Sequence, residues 1–204
     1  MAHLGMVIDL QRCIGCNGCT IACKSENGTP PGVHFSKVLE KERGTYPNVT
    51  RDFIPVLCNH CEDAPCERAC PTGATTRRDD GIVMVDYDKC IGCRACYVSC
   101  PYVNRAFLPK GSLSKGYYGN SLTPFEAVKY KEFTEGTVVK CTFCAKRVDQ
   151  GLEPACVVTC ATEARIFGDL DDPDSKVSKL IRQSRMFQLL PEANTKPSVY
   201  YLRR

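Results

Sequence analysis

Cys90-Ile91-Gly92-Cys93-Arg94-Ala95-Cys96-Tyr97-Val98-Ser99-Cys100-Pro101 is the stretch on which the reading of this chain turns. Three thiolates separated by two residues each wrap one side of an iron-sulfur cubane, and a fourth, three residues further on, points away toward a second cubane. Working outward, Cys13, Cys16, Cys19 and Cys23 repeat that C-x2-C-x2-C-x3-C spacing. Cys58, Cys61, Cys66 and Cys70 widen the middle gap to four residues, and Cys141, Cys144, Cys156 and Cys160 widen it to eleven. These four runs use all 16 cysteines of the chain. The spacing therefore predicts four 4Fe-4S clusters with all sixteen cysteines as ligands.

Two other uses of cysteine compete with this reading. Disulfide scaffolds are characteristic of short secreted chains, whereas 204 residues with 43% hydrophobic content can build cores without them. Structural zinc uses two C-x2-C pairs separated by a longer stretch. The third cysteine comes too soon for that in two of the runs, although the fourth run alone resembles a zinc knuckle. Cys70-Pro71 and Cys100-Pro101 carry the C-P ending of bacterial ferredoxin runs.

The formal net charge of +4 counts every cysteine as neutral. Four oxidised cubanes with their thiolates, at about −2 each, bring the loaded protein to roughly −4, so the apparent basicity is no signal for nucleic acid. Arg12, Lys24, Lys89, Arg94, Lys140, Lys146 and Arg147 stand beside ligands. Most read individually as solvated surface; together they offset cluster charge and raise reduction potentials. His3, His34 and His60 form no repeated ligand pattern. His60, between Cys58 and Cys61, reads either as a hydrogen-bond donor to a cluster sulfur or as an ordinary surface or packing residue. The chain has no glycine-rich nucleotide loop of the Rossmann or P-loop kind and no zinc-protease motif. With every ligand position filled by cysteine, no iron is left open for substrate, so the chain is expected to move single electrons and not to catalyse alone.

No secretory signal and no run of about 18 apolar residues is visible. The expectation is a chain without a membrane span, placed either in the cytoplasm or in the periplasm by co-export with a signal-bearing partner. Extended segments are predicted before each run: Met6 to Leu10, Asp52 to Leu57, Ile82 to Asp86 after the Asp79-Asp80-Gly81 turn, and Thr137 to Lys140. Short helices are expected over Cys19 to Lys24 and Cys96 to Cys100. The cysteine-free stretch 109–136 starts as a loop over 111–120. It continues into a helix from about Pro124 to Phe133, announced by Thr123-Pro124-Phe125-Glu126, whose role reads as scaffolding first and as docking to a partner second. Residues 168–175 form an acidic turn that caps a helix bearing Val177, Leu180 and Ile181 on one face, in preference to a calcium loop. Ser198 to Leu202 reads as a last strand.

The four runs, together with C-N-H-C at Cys58 to Cys61, C-P-T-G-A at Cys70 to Ala74, C-T-F-C at Cys141 to Cys144 and the Gly168 to Pro173 turn, resemble the four-cluster electron-transfer subunits of the molybdopterin (DMSO reductase family) oxidoreductases. The likeness is greatest to the iron-sulfur subunits of polysulfide, thiosulfate and respiratory arsenate reductases. The resemblance implies an α+β fold of two nested ferredoxin-like units with short strands, cluster loops and short helices. Residues 1–45 with 137–204 would form the outer unit, 46–108 the inner unit, and 109–136 an insertion. By the crossover of the fourth cysteine, Cys13, Cys16 and Cys19 would share a cluster with Cys160, and Cys141, Cys144 and Cys156 with Cys23. Cys58, Cys61 and Cys66 would join Cys100, and Cys90, Cys93 and Cys96 would join Cys70. Lys24 and Ala161 depart from the pattern, standing where a ferredoxin has proline. The resemblance also implies a partner: a molybdopterin catalytic subunit, which alone carries the pterin, with a membrane anchor or quinone-reacting subunit as a further one. The competing function is a free polyferredoxin-type carrier without a permanent partner.

Overall fold

The computed structural model describes residues 2–119 and 121–203, so Asn120, the last residue of the expected loop, and the terminal Met1 and Arg204 of the expected outer unit lie outside the described residues. Extended segments deliver each cysteine run, and short helices carry it onward. β1 (Leu4–Asp9) leads into the first run, whose third cysteine lies in the first turn of α1 (Gly18–Asn27). A hairpin of β2 (Ser36–Thr45) and β3 (Asn48–Leu57) delivers the second run, which contains α2 (Pro65–Arg68). β4 (Thr75–Arg77) and β5 (Val83–Val85) fold back on each other ahead of the third run and α3 (Ala95–Val98). Gly81, at φ 86°, and the Asp80 carboxylate, which accepts from Ile82 N at 3.1 Å, close the turn between them. β6 (Arg105–Phe107), α4 (Pro124–Lys129) and β7 (Val138–Lys140) follow. The long gap of the fourth run holds α5 (Ala145–Val148) before α6 (Ala155–Val158), and β8 (Arg165–Asp169), α7 (Lys176–Gln183), β9 (Met186–Phe187) and β10 (Val199–Leu202) complete the order.

The largest sheet runs β8-β1-β10-β9, with β1 parallel to β10 and antiparallel to β8. It ties the start of the chain to its last strand, which is why Met6, Val7 and Ile8 form a continuous buried run where an exposed face would demand alternation. Tyr201, buried on β10, donates its hydroxyl to the Pro55 carbonyl at 3.0 Å and so gives its polar end a partner inside the core. A second tie joins the halves, because β6 pairs with β7 in the register Arg105↔Lys140 and Phe107↔Val138. The core mixes aliphatic side chains with cysteines: Met6, Ile8, Leu57, Val139, Phe143 and Tyr201 pack in one cluster with Cys19, Cys23, Cys141 and Cys156.

Two elements differ from the sequence reading. The strand expected over Asp52 to Leu57 is the inner end of a ten-residue strand in an arm whose distal half, with Tyr46 at its turn, is exposed. The helix expected as far as Phe133 is α-helical only over Pro124–Lys129, and one 3-10 turn, Tyr130–Glu132, finishes it. Its start is as expected: Thr123 Oγ1 accepts from Glu126 N at 3.3 Å while Glu126 Oε2 accepts from Thr123 N at 2.7 Å. Lys129 Nζ donates to the Glu26 carbonyl at 2.8 Å and Phe133 packs edge-on against Phe35, so the segment braces the end of α1. Thr123→Ala removes this cap and is expected to cost about 1 kcal/mol, seen as faster amide exchange over 124–129 with the rest of the molecule unchanged.

Candidate metal centres

The four C-x2-C loops share one backbone device. Gly15, His60, Gly92 and Phe143, each just before the second cysteine of its run, all have positive φ. The left-handed turn brings the flanking thiols to one side of the loop. Glycine is required in two of them: a Cβ on Gly15 would meet the Phe53 ring at 2.3 Å, and one on Gly92 would meet the Gly136 carbonyl oxygen at 2.0 Å. In the other two loops the side chains take part in packing, since the His60 and Phe143 rings stack with centroids 3.8 Å apart.

None of the sixteen cysteines is joined in a disulfide. Their neighbours come from different runs. Cys13 lies within the field of Cys19 and Cys160. Cys23 lies within that of Cys156 and Cys144, and the Asn27 amide reaches both Cys23 Sγ, at 3.6 Å, and Cys144 Sγ, at 4.0 Å. Cys58, Cys61, Cys66 and Cys100 line a single cavity together with Pro65, Tyr102 and Arg105. Cys96 has Cys70 and Cys90 as its charged neighbours. Between these groups, Cys19 stands near Cys156, and Cys58 near Cys141. Cys16 and Cys93 are the exposed members, one in the first group and one in the last.

The donor chemistry fits iron-sulfur clusters. Burial pushes the Cys23 thiol up to about 12, with the charges of Cys156 and Cys144 acting the same way, and burial likewise pushes Cys61 up to about 12 and Cys141 well above the ordinary range. Thiolates gathered there at neutral pH require metal cations to hold them ionised. Among the described residues no three His, Cys, Asp or Glu side chains converge as ligands of one ion; the thiolates of a cubane, each on a different iron, stand farther apart than that. Within the second run, both side-chain polar atoms of Asn59 and His60 Nε2 are buried without a hydrogen-bond partner from the protein. His60 Nδ1 accepts from Val83 N at 3.0 Å, which leaves Nε2 as the protonated donor. Burial, with the charges of Lys140 and Arg105, holds this ring neutral. The hydrogen-bonding alternative read for His60 thus has an unpaired donor behind it.

The two departures from the proline pattern behave differently. Cys160-Ala161-Thr162-Glu163 follows the same path as Cys70-Pro71-Thr72-Gly73, with positive φ at Glu163 and Gly73 and a threonine hydroxyl 3.7 and 3.8 Å from the respective sulfur. In both, burial raises the thiol but the surrounding hydrogen bonds outweigh it and bring it below its usual range. Cys23 instead stays within α1, because Lys24 continues the helix where proline would end it. Lys24 itself is half-buried, with Nζ 2.6 Å from the Val33 carbonyl. Lys140 departs further from the surface reading, being 1% exposed. Arg105 and Arg165, absent from the sequence-based candidates, are buried as well.

Comparison with known proteins agrees with this chemistry. Two family models, each described as a 4Fe-4S dicluster domain, match residues 49–115 with 117–170 and residues 12–74. The chain is 44% identical to the arsenate respiratory reductase iron-sulfur subunit of Shewanella sp. (strain ANA-3), covering 98% of this chain and 96% of that one. It is 45% identical to a putative dimethyl sulfoxide reductase iron-sulfur subunit of Halobacterium salinarum, covering 99% and 79%. It is also 45% identical to a selenate reductase subunit of Mesobacillus selenatarsenatis, covering 97% and 70%. The chain belongs to the 4Fe-4S dicluster family, among the non-catalytic iron-sulfur subunits of the DMSO reductase family of oxidoreductases.

Proposed function

We propose that the chain carries four 4Fe-4S clusters in a row and relays single electrons between a donor or quinone-linked module and a molybdopterin catalytic subunit. The observation that supports this reading is the mixing of runs: Cys160 is an electrostatic neighbour of Cys13, Cys23 of Cys144 and Cys156, Cys100 of Cys61, and Cys70 of Cys96. The first set is Cys13, Cys16, Cys19 and Cys160, and the second is Cys141, Cys144, Cys156 and Cys23. The third is Cys58, Cys61, Cys66 and Cys100, and the fourth is Cys90, Cys93, Cys96 and Cys70. The clusters supply one-electron redox centres when bound. The protein's part is to hold them in sequence, to keep water from the middle of the path, and to set their surrounding charge. Exposed Cys16 and Cys93 mark the two ends as the places of exchange, and apolar Ile14 and Ile91, 60% and 67% exposed beside them, suit contact with other subunits.

The nested division follows the same pattern, with residues 1–45 and 137–204 forming the outer unit around 46–108 and with 109–136 as its brace. The sheet joining β1 to β8 and β10 supports the outer unit. Among the described residues no helix is long and apolar enough to cross a membrane. Near-equal identity to subunits named for arsenate, dimethyl sulfoxide and selenate reductases supports a relay that leaves substrate choice to its catalytic partner. The isolated, cluster-loaded chain is expected to exchange electrons with small redox dyes and to reduce none of these three compounds. Reduction of any of them by the purified chain would defeat the assignment, and co-purification with a pterin-bearing chain separates it from a free carrier.

A further inference from the structure

We propose that three buried cations, Arg165, Lys140 and Arg105, stand one at each junction of the relay and raise the reduction potentials of the clusters on either side. The inference rests on the crossed ligand sets proposed above. Arg165 opens β8 and is 3% exposed. Its Nη2 lies 3.4 Å from Cys19 Sγ and 2.9 Å from Ser36 Oγ, while Nη1 lies 3.6 Å from Cys156 Sγ and 3.9 Å from Met6 Sδ. Cys19 is in the first set and Cys156 in the second, so one planar fork faces two sets at once.

Arg105 repeats this in the inner half. It opens β6, is 6% exposed, and has Cys66 of the third set and Cys96 of the fourth as its charged neighbours. Nη1 donates to Thr75 Oγ1 at 3.2 Å, and the guanidinium also hydrogen-bonds to the sulfurs of Cys66 and Cys96. Lys140 lies at the centre, where Nζ donates to the Cys141 carbonyl at 2.5 Å and to that of Val83. Its charge acts on Cys141 of the second set and Cys66 of the third.

These placements are costly without counter-charge. Arg105 and Lys140 are cross-strand partners, and like charges directly opposite destabilise a strand pair. Burying an unpaired cation adds to that cost. None of the three forms an ion pair with an aspartate or glutamate among the described residues. The negative charge available to them is that of thiolates and cluster sulfides. A fixed cation favours the more negative, reduced state of a redox centre beside it, and burial protects that effect from screening by salt.

The test is an EPR-monitored redox titration of the cluster-loaded protein, with iron counted in every sample. Arg165→Gln is expected to lower the midpoints of the first and second clusters by the equivalent of about tenfold in the oxidised-to-reduced ratio at fixed potential, about 59 mV for a one-electron step. The third and fourth are expected to stay in place. Arg105→Gln is expected to shift the opposite pair, and Lys140→Gln the middle pair. Arg165→Lys keeps the charge and is expected to hold both outer midpoints near wild type. Fully loaded glutamine variants with unmoved midpoints, or with all four shifted alike, overturn the proposal. Where Arg165→Gln loads poorly, the lysine variant decides: full loading with wild-type midpoints supports the role of charge, and lowered midpoints or failed loading overturn it. An iron count below four clusters in the wild type overturns the underlying four-cluster reading instead.

Discussion

Cys160→Ala is expected to destroy or convert the cluster held by Cys13, Cys16 and Cys19 and to spare the one held by Cys141, Cys144 and Cys156, although Cys160 belongs to the latter run in sequence. The reason is local. α6 ends at Val158, and the turn after it directs Cys160 toward the first loop, where it lies within the field of Cys13 and accepts from Ala164 N at 3.3 Å. The place beside Cys144 and Cys156 is taken by Cys23, tied there through Asn27. About four of sixteen iron atoms are at stake, or one if a three-iron centre survives. EPR of the reduced protein separates the outcomes, since loss of the signal from the Cys141, Cys144 and Cys156 cluster alone would contradict the crossed assignment.

Cys96→Ala in the assembled complex is expected to slow turnover driven by the physiological donor by on the order of tenfold or more. Cys96 is buried on α3, next to Cys70 and Cys90 and facing Arg105, so its loss damages the fourth set and the junction before it. Turnover driven by a small dye that reaches the catalytic subunit directly is expected to persist. A variant that loses this cluster yet keeps full donor-driven turnover would remove the fourth set from the electron path.

The cysteine runs were legible because their spacing is a local pattern, and each expected strand before a run has a counterpart. The capping box at Thr123 was legible for the same reason: two side chains within four residues define it. The exposed arm of β2 and β3 was not, because Lys37 to Thr45 alternates little and is held by pairing to its partner strand rather than by a buried face. Lys140 was read as surface from its charge, yet all of β7 is buried, so the usual alternation of faces does not apply. Arg105 and Arg165 carried a signal that emerges only when runs are superposed: each stands five residues after the last cysteine of its run, where the second run has Thr75. Their sulfur contacts lie 146 and 9 residues away in sequence for Arg165, a juxtaposition that spacing cannot reveal.

The central claim is that sixteen cysteines hold four cubanes and nothing else. Iron and acid-labile sulfide analysis of anaerobically purified protein tests it most directly. The account predicts about sixteen of each per chain; about twelve iron, with the long-gap fourth run as the first suspect, or zinc in place of iron, would contradict it.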